Sequence, residues 1–163
     1  MGTTTQTLGA RNRTLHLIDL ENLIGDPVAK GPVVGETLDR FRTLAGWRPG
    51  DHAIVAANPG LLHELVFHAG RECVLRSVHG QDAADLYLLA GAPPEWVAKR
   101  FGRIVIGSGD HIFATRARTI RDLGVHVTVI ARRDSLSGAL QGQGFGIRFL
   151  EPAVATREVA LAA

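Results

Sequence analysis

The stretch Leu15-His16-Leu17-Ile18-Asp19 decides the fold, because it is a short apolar run that closes on a carboxylate. A run of this length is too short for a core helix and suits a strand buried on both faces. Gly25 and Pro27 follow closely, so Asp19 is expected to end the strand without opening a helix. The same unit then recurs along the chain. Gly31 to Gly46 carries Val34, Leu38, Phe41, Leu44 and Ala45 at helical spacing. His52 to Ala56 reads as a second strand. Asn58 and Pro59 supply a cap and a first-turn proline for a helix bearing Leu61, Leu62, Leu65 and Val66. Glu72 to Arg76 is a third strand. Asp82 opens a further helix, and Pro93-Pro94 begins a short one through Trp96 and Val97. Arg103 to Ile106 is a fourth strand. The helix His111 to Leu123 should turn Phe113, Ala117, Ile120 and Leu123 inward and leave Arg118 and Arg121 outward. Val125 to Ile130 is a fifth strand. A short helix around Leu136 to Leu140 precedes a sixth, edge strand at Gly146 to Leu150.

Strands that alternate with helices and read as continuous apolar runs imply an α/β fold. The expected architecture is a single-domain three-layer sandwich with a mostly parallel sheet of about five to six strands. Residues 14–151 form the domain, with a flexible N-terminal segment at 1–13 and a C-terminal tail at 152–163.

A chain of 163 residues has the size of one domain. With 45% hydrophobic and 21% charged residues, disorder over most of its length is excluded. The single cysteine, Cys73, excludes an internal disulfide framework and a CxxC zinc site, and reads as a reduced, packed thiol. No apolar run approaches the ~20 residues of a membrane span. The opening residues lack the basic-then-apolar order of a signal peptide. A cytoplasmic protein with no membrane partner is therefore expected.

The net charge of +2 is unevenly placed. Residues 16–98 hold 11 acids against 6 bases, whereas residues 99–133 hold 8 bases against 2 acids. That asymmetry is the footprint of a surface facing nucleic acid, or of a solvated basic face. Arg116, Arg118, Arg132 and Arg133 are the bases that could track a phosphate backbone. Arg76 ends the third strand, so it and His79 should point toward the cleft. Only 6% of the chain is aromatic, with Tyr87, Trp47 and Trp96 the candidates for stacking, so phosphate contacts should dominate.

Ligands of open parallel sheets bind beyond the carboxyl ends of the strands. Three segments deliver acids there: Asp19-Leu20-Glu21-Asn22, His79-Gly80-Gln81-Asp82-Ala83-Ala84-Asp85, and Gly107-Ser108-Gly109-Asp110-His111. Converging carboxylates repel one another, and a hard divalent cation, Mg2+ or Mn2+, removes that cost. Each acid also has a purely structural reading. Asp110 reads as a helix N-cap, and Asp82 with Asp85 as a capping-box-like pair. Asp19 has no such role if it opens no helix.

These three segments resemble the motifs of NYN domains, within the PIN-like group of metal-dependent nucleases. Leu17-Ile18-Asp19-Leu20-Glu21-Asn22 is similar to the first motif, Asp82-Ala83-Ala84-Asp85 to the second and Ser108-Gly109-Asp110 to the third. The resemblance spans roughly residues 14–150. It implies a PIN-like fold and metal-dependent hydrolysis of RNA, probed most simply as endonucleolytic cleavage. Asp19, Asp85 and Asp110 would be the metal-binding acids, and Asn22 would orient Asp19 or bond a ligand. Asp82 would be a secondary acid. Beside these, Arg76, His79, His111, Arg132 and Arg133 are candidate substrate contacts from their placement, and Ser108 could bond either a carboxylate or a phosphate oxygen. PIN-like relatives often pair, so a homodimer is compatible with the resemblance.

One position departs from that pattern. Many members carry a second acid two residues after the aspartate of the third motif, where this chain has Ile112. The alternative reading is therefore a catalytically weak or inactive RNA-binding module. A receiver-like site would need paired acids after the first strand and a late lysine, and no lysine follows Lys99. A Rossmann site would need Gly-x-Gly-x-x-Gly after the first strand, where the chain has Asp19 to Gly25. No Ser-His-Asp or Cys-His arrangement stands at the strand ends.

Overall fold

The computed structural model describes residues 12–153. The expectations for the chain ends fall largely on residues 1–11 and 154–163, outside the described residues. The strands are β1 (Thr14–Asp19), β2 (His52–Ala57), β3 (Cys73–Ser77), β4 (Arg103–Gly107), β5 (His126–Ala131) and β6 (Gly146–Phe149). The helices are α1 (Leu20–Ile24), α2 (Gly31–Ala45), α3 (Pro59–Leu65), α4 (Ala83–Ala90), α5 (Pro94–Arg100) and α6 (Phe113–Asp122). A turn of 3-10 helix, Gly138–Leu140, stands where a short helix was expected. Among the described residues no helix is long and apolar enough to cross a membrane.

The six strands form one sheet in the order β3-β2-β1-β4-β5-β6. Every pairing is parallel, where a mostly parallel sheet was expected. Parallel pairing forces each connection across a face of the sheet. The chain winds outward from β1 to β3, then returns past β1 to β4 and winds the other way. Crossovers of a single hand must then lie on opposite faces for the two directions.

Two cores match that requirement. Leu15 and Leu17 pack on one face with Leu88, Val97, Phe113 and Ile120 of α4, α5 and α6. Ile18 packs on the other with Leu38, Phe41 and Leu61 of α2 and α3. The alternation along β1 is the period of two that a strand imposes. Phe113 is fully buried, and truncating it to alanine would cost about 3 to 5 kcal/mol. Leu123, expected inward, is 47% exposed. α6 stops at Asp122, so Leu123 leaves the helical face that buries Ile120.

The tryptophans and the cysteine serve packing. Trp47 stacks on His16 with centroids 4.2 Å apart, and Trp96 lies 5.4 Å from Phe101. His16 is fully buried, and its Nε2 meets Asp51 Oδ2 at 3.2 Å. Asp51 also accepts the backbone N–H groups of Thr14 and Arg48, each at 2.9 Å. This cluster ties the turn before β2 to the amino end of β1, the edge opposite the acids. Cys73 is half-buried, and burial beside Glu72 pushes its thiol upward.

Candidate metal and nucleic-acid site

The winding direction reverses between β1 and β4. Such a reversal leaves a crevice beyond the strand ends. Asp19 is the last residue of β1, and Ser108 directly follows β4. Alternation puts Asp19 on the face of Leu15 and Leu17, which α4 covers. Asp85 is the third residue of α4 and meets Asp19 from that side.

The two carboxyls are close enough for each to affect the other's titration. Each residue is only 6% exposed. Burial pushes the Asp85 carboxyl up to about 7, reinforced by the charges of Asp19 and Asp110. Burial raises Asp19 as well, against the stabilising bonds from Asn22 N–H and Asp85. Asp85 Oδ1 is buried with no hydrogen-bond partner. A buried carboxyl oxygen without a partner is costly, and a cation or a water reaching it from the cleft would satisfy it.

Asp19 also departs from expectation by opening a helix after all. Its side chain caps α1, accepting the Asn22 N–H at 3.2 Å, while Gly25 ends that helix in the left-handed region. Five residues suffice for α1, so the nearby glycine terminates it and does not prevent it. Asp82 makes no cap bond. It sits in the left-handed region at φ 57°, which aspartate tolerates better than most residues, and its exposed side chain lines the cleft. Asp110 caps nothing either. α6 begins at Phe113, and Asp110 Oδ1 accepts the Ile112 N–H at 2.9 Å in a local turn. The same oxygen lies 3.0 Å from Nδ1 of the exposed His111.

Ser108 is fully buried and joins two of the acids. Its hydroxyl donates to Asp19 Oδ2 at 3.5 Å and accepts the Asp110 N–H at 3.3 Å. Of the two roles expected for it, a carboxylate or a phosphate partner, the structure shows the carboxylate bond. Asn22 Oδ1 accepts the Gly109 N–H at 2.9 Å and the Ser135 hydroxyl at 3.4 Å. Ile112, at the position of the departure, packs against the core under α4 to α6.

A cleft of about 570 Å³ opens over this edge, lined by Asp19, Glu21, Asn22, His79, Asp82 and Asp85 among others. A groove of about 630 Å³ between α2, His68 and the end of β6 lies away from these acids. Glu21 and Ser135 were not singled out from sequence. Glu21 Oε1 accepts the Asn58 N–H at 3.0 Å and adds negative charge beside Asp19. Its adjacency to Asp19 was the available signal. Ser135 had only its place just beyond β5.

The bases divide into two groups. Arg76 is exposed, one residue short of the end of β3, with its guanidinium 5.3 Å from the Tyr87 ring centre. Arg133 is exposed over Phe149 and within 3.4 Å of Glu151. Arg116 is not free to follow a phosphate backbone. Its Nη1 donates to the Leu89 and Ala92 carbonyls at 2.7 and 2.8 Å, which terminate α4. Arg132 is packed against Gly25, where a Cβ would fall on its guanidinium.

No family model matches this chain. No curated protein matches it either. A solved structure does: a protein of unknown function from Vibrio parahaemolyticus, with a TM-score of 0.62 and 16% identity. The alignment covers 92% of this chain and 97% of that one. At that identity the likeness shows the shared α/β fold and nothing of the activity.

The donor set suits a hard cation, since Asp19, Asp85 and Asp110 offer carboxylate oxygen only. Among the described residues no group of three or more acid, imidazole or thiolate side chains is placed to hold a metal ion.

Proposed function

We propose that this chain is a metal-dependent ribonuclease whose reacting centre is the Asp19, Asp85 and Asp110 cluster. The observation that carries the reading is the buried pair Asp19 and Asp85, with Asp85 Oδ1 orphaned, at the reversal point of the sheet. Asp19 and Asp85 would hold Mg2+ or Mn2+ directly, with Asp110 completing the charge. When bound, such an ion activates water toward phosphorus and stabilises the phosphate charge.

The chain's own residues supply the rest. Ser108 and the Asn22 backbone orient the two oxygens of Asp19. The Ile112 N–H and His111 orient Asp110. Asp85 would hold such an ion as a carboxylate, since the ion's charge would offset the repulsion from Asp19 and Asp110. His79 lines the cleft and is the residue placed to contact a phosphate there.

Ile112 supports a second reading on the same scaffold, an RNA-binding module without catalysis. Its side chain packs into the core, so Asp110 has no companion acid on its own turn. Incubating the protein with labelled single-stranded and structured RNA in Mn2+, Mg2+ or EDTA separates the readings. Products in metal and none in EDTA support the nuclease. Retarded but intact RNA in every condition supports the binding module.

A further inference from the structure

We propose that Ser135, just beyond β5, is a positioning residue for the carboxylate site, holding Asn22 and the Gly109 peptide in one register. The inference rests on the metal-dependent reading above. Three segments meet at Asn22 Oδ1. Asn22 itself follows β1, Gly109 follows β4, and Ser135 follows β5. The single Ser135 hydroxyl proton is shared between Asn22 Oδ1 at 3.4 Å and the Arg132 carbonyl at 3.2 Å.

The backbone makes the same contact a second time. Ser137 N–H donates to the Gly109 carbonyl at 2.8 Å. A Cβ on Gly109 would collide with the Ser135 carbonyl and the Leu136 Cα. Gly109 is therefore required here by close backbone approach, since its φ is not positive. Arg132 presses the same segment onto Gly25, at the end of the helix that Asp19 caps.

The segment from Arg132 to Ser137 thus straps the turn carrying Asp110 to the helix carrying Asn22. Loss of the strap lets Asp110 drift relative to Asp19 without unfolding a core. Ser135 touches neither metal nor RNA in this account and acts only through Asn22.

The test uses Ser135→Ala, Ser135→Thr and Gly109→Ala in the full chain. Amide exchange at Gly109 and Asp110 is read by NMR, and kcat and KM are read for RNA in Mn2+. Ser135→Ala should leave Tm within about two degrees and speed Gly109 exchange about three- to tenfold, the loss of one modest hydrogen bond. It should lower kcat by a similar factor with KM unchanged, as expected when positioning and not binding is lost. Ser135→Thr keeps the hydroxyl and should restore both. Gly109→Ala displaces the strap backbone and should act in the same direction more strongly. Unchanged exchange and unchanged kcat in Ser135→Ala would overturn the inference. A wild-type protein that never cleaves RNA would remove the nuclease reading, while the exchange result would still decide the role of Ser135.

Discussion

The carboxyl of Asp85, carried on α4, is buried beside the carboxylate of Asp19 at the end of β1, and burial together with the Asp19 charge raises it. A raised acid contributes its stability below its unfolded value near 3.9 and loses it as pH climbs through the folded value. For Asp85 that folded value is about 7. Metal-free protein should therefore lose stability between about pH 4 and pH 7 from this pair. Asp85→Asn removes the repulsion, so at pH 8 in EDTA its Tm should rise by roughly 3 to 8 degrees. The gain should vanish at pH 4. Thermal melts at both values decide this, and a variant that melts lower at pH 8 would contradict it.

The buried His16 acts in the opposite direction. Burial lowers its imidazole to about 4, outweighing the bond and charge of Asp51, which raise it. The unfolded chain then binds a proton first as pH falls below about 6.5, so the folded state weakens from there toward pH 4. His16→Phe retains a ring against Trp47 and removes this titration, although Asp51 loses one partner. Urea midpoints of the variant should change less than those of the wild type between pH 6.5 and pH 4.5. An equal acid slope in both proteins would exclude His16 as the source.

Arg116 separates a structural arginine from a phosphate-binding one. Its two bonds to the carbonyls that end α4 are charge-assisted and half-buried. Arg116→Ala should cost about 1 to 3 kcal/mol of stability by urea denaturation. The salt dependence of RNA binding should stay the same. A flatter salt slope with unchanged stability would place Arg116 at the nucleic acid instead.

Arg132 and Arg133 are adjacent and should behave differently. Arg133 is exposed over Phe149, and Arg133→Ala should lower RNA affinity and reduce the salt slope by about one, as for a single lost phosphate contact. Arg132 fills the space over Gly25, so Arg132→Ala should lower Tm by a few degrees. Filter binding across a salt series and thermal melts read the two effects. The opposite assignment would show as a melt change in Arg133→Ala alone.

The sheet was legible because strands buried on both faces read as unbroken apolar runs, as at Leu15 to Ile18 and Ile104 to Ile106. The placement of Asp19, Asp85 and Asp110 at one edge followed from that layout, since all carboxyl ends of a parallel sheet lie together. The local geometry of the acids was less legible. Asp19 caps α1 because a five-residue helix fits before Gly25, a length that periodicity cannot register. Asp82 takes a left-handed conformation and Asp110 an Asx-type turn, and neither leaves a trace distinct from a helix cap in the residue pattern. Arg116 looked like surface charge until the end of α4 was seen beside it. Ser135 lies 113 residues from Asn22, so only the assembled sheet brings the two together.

The most direct measurement of the central claim is single-turnover cleavage of labelled RNA in Mn2+ by the wild type and by Asp110→Asn. Loss of a group that anchors the metal should slow cleavage roughly a hundredfold or more. RNA binding should be unchanged and Tm equal or higher, because one of the repelling charges is gone. Cleavage at the wild-type rate in Asp110→Asn would contradict the assignment of this carboxylate cluster as the reacting centre.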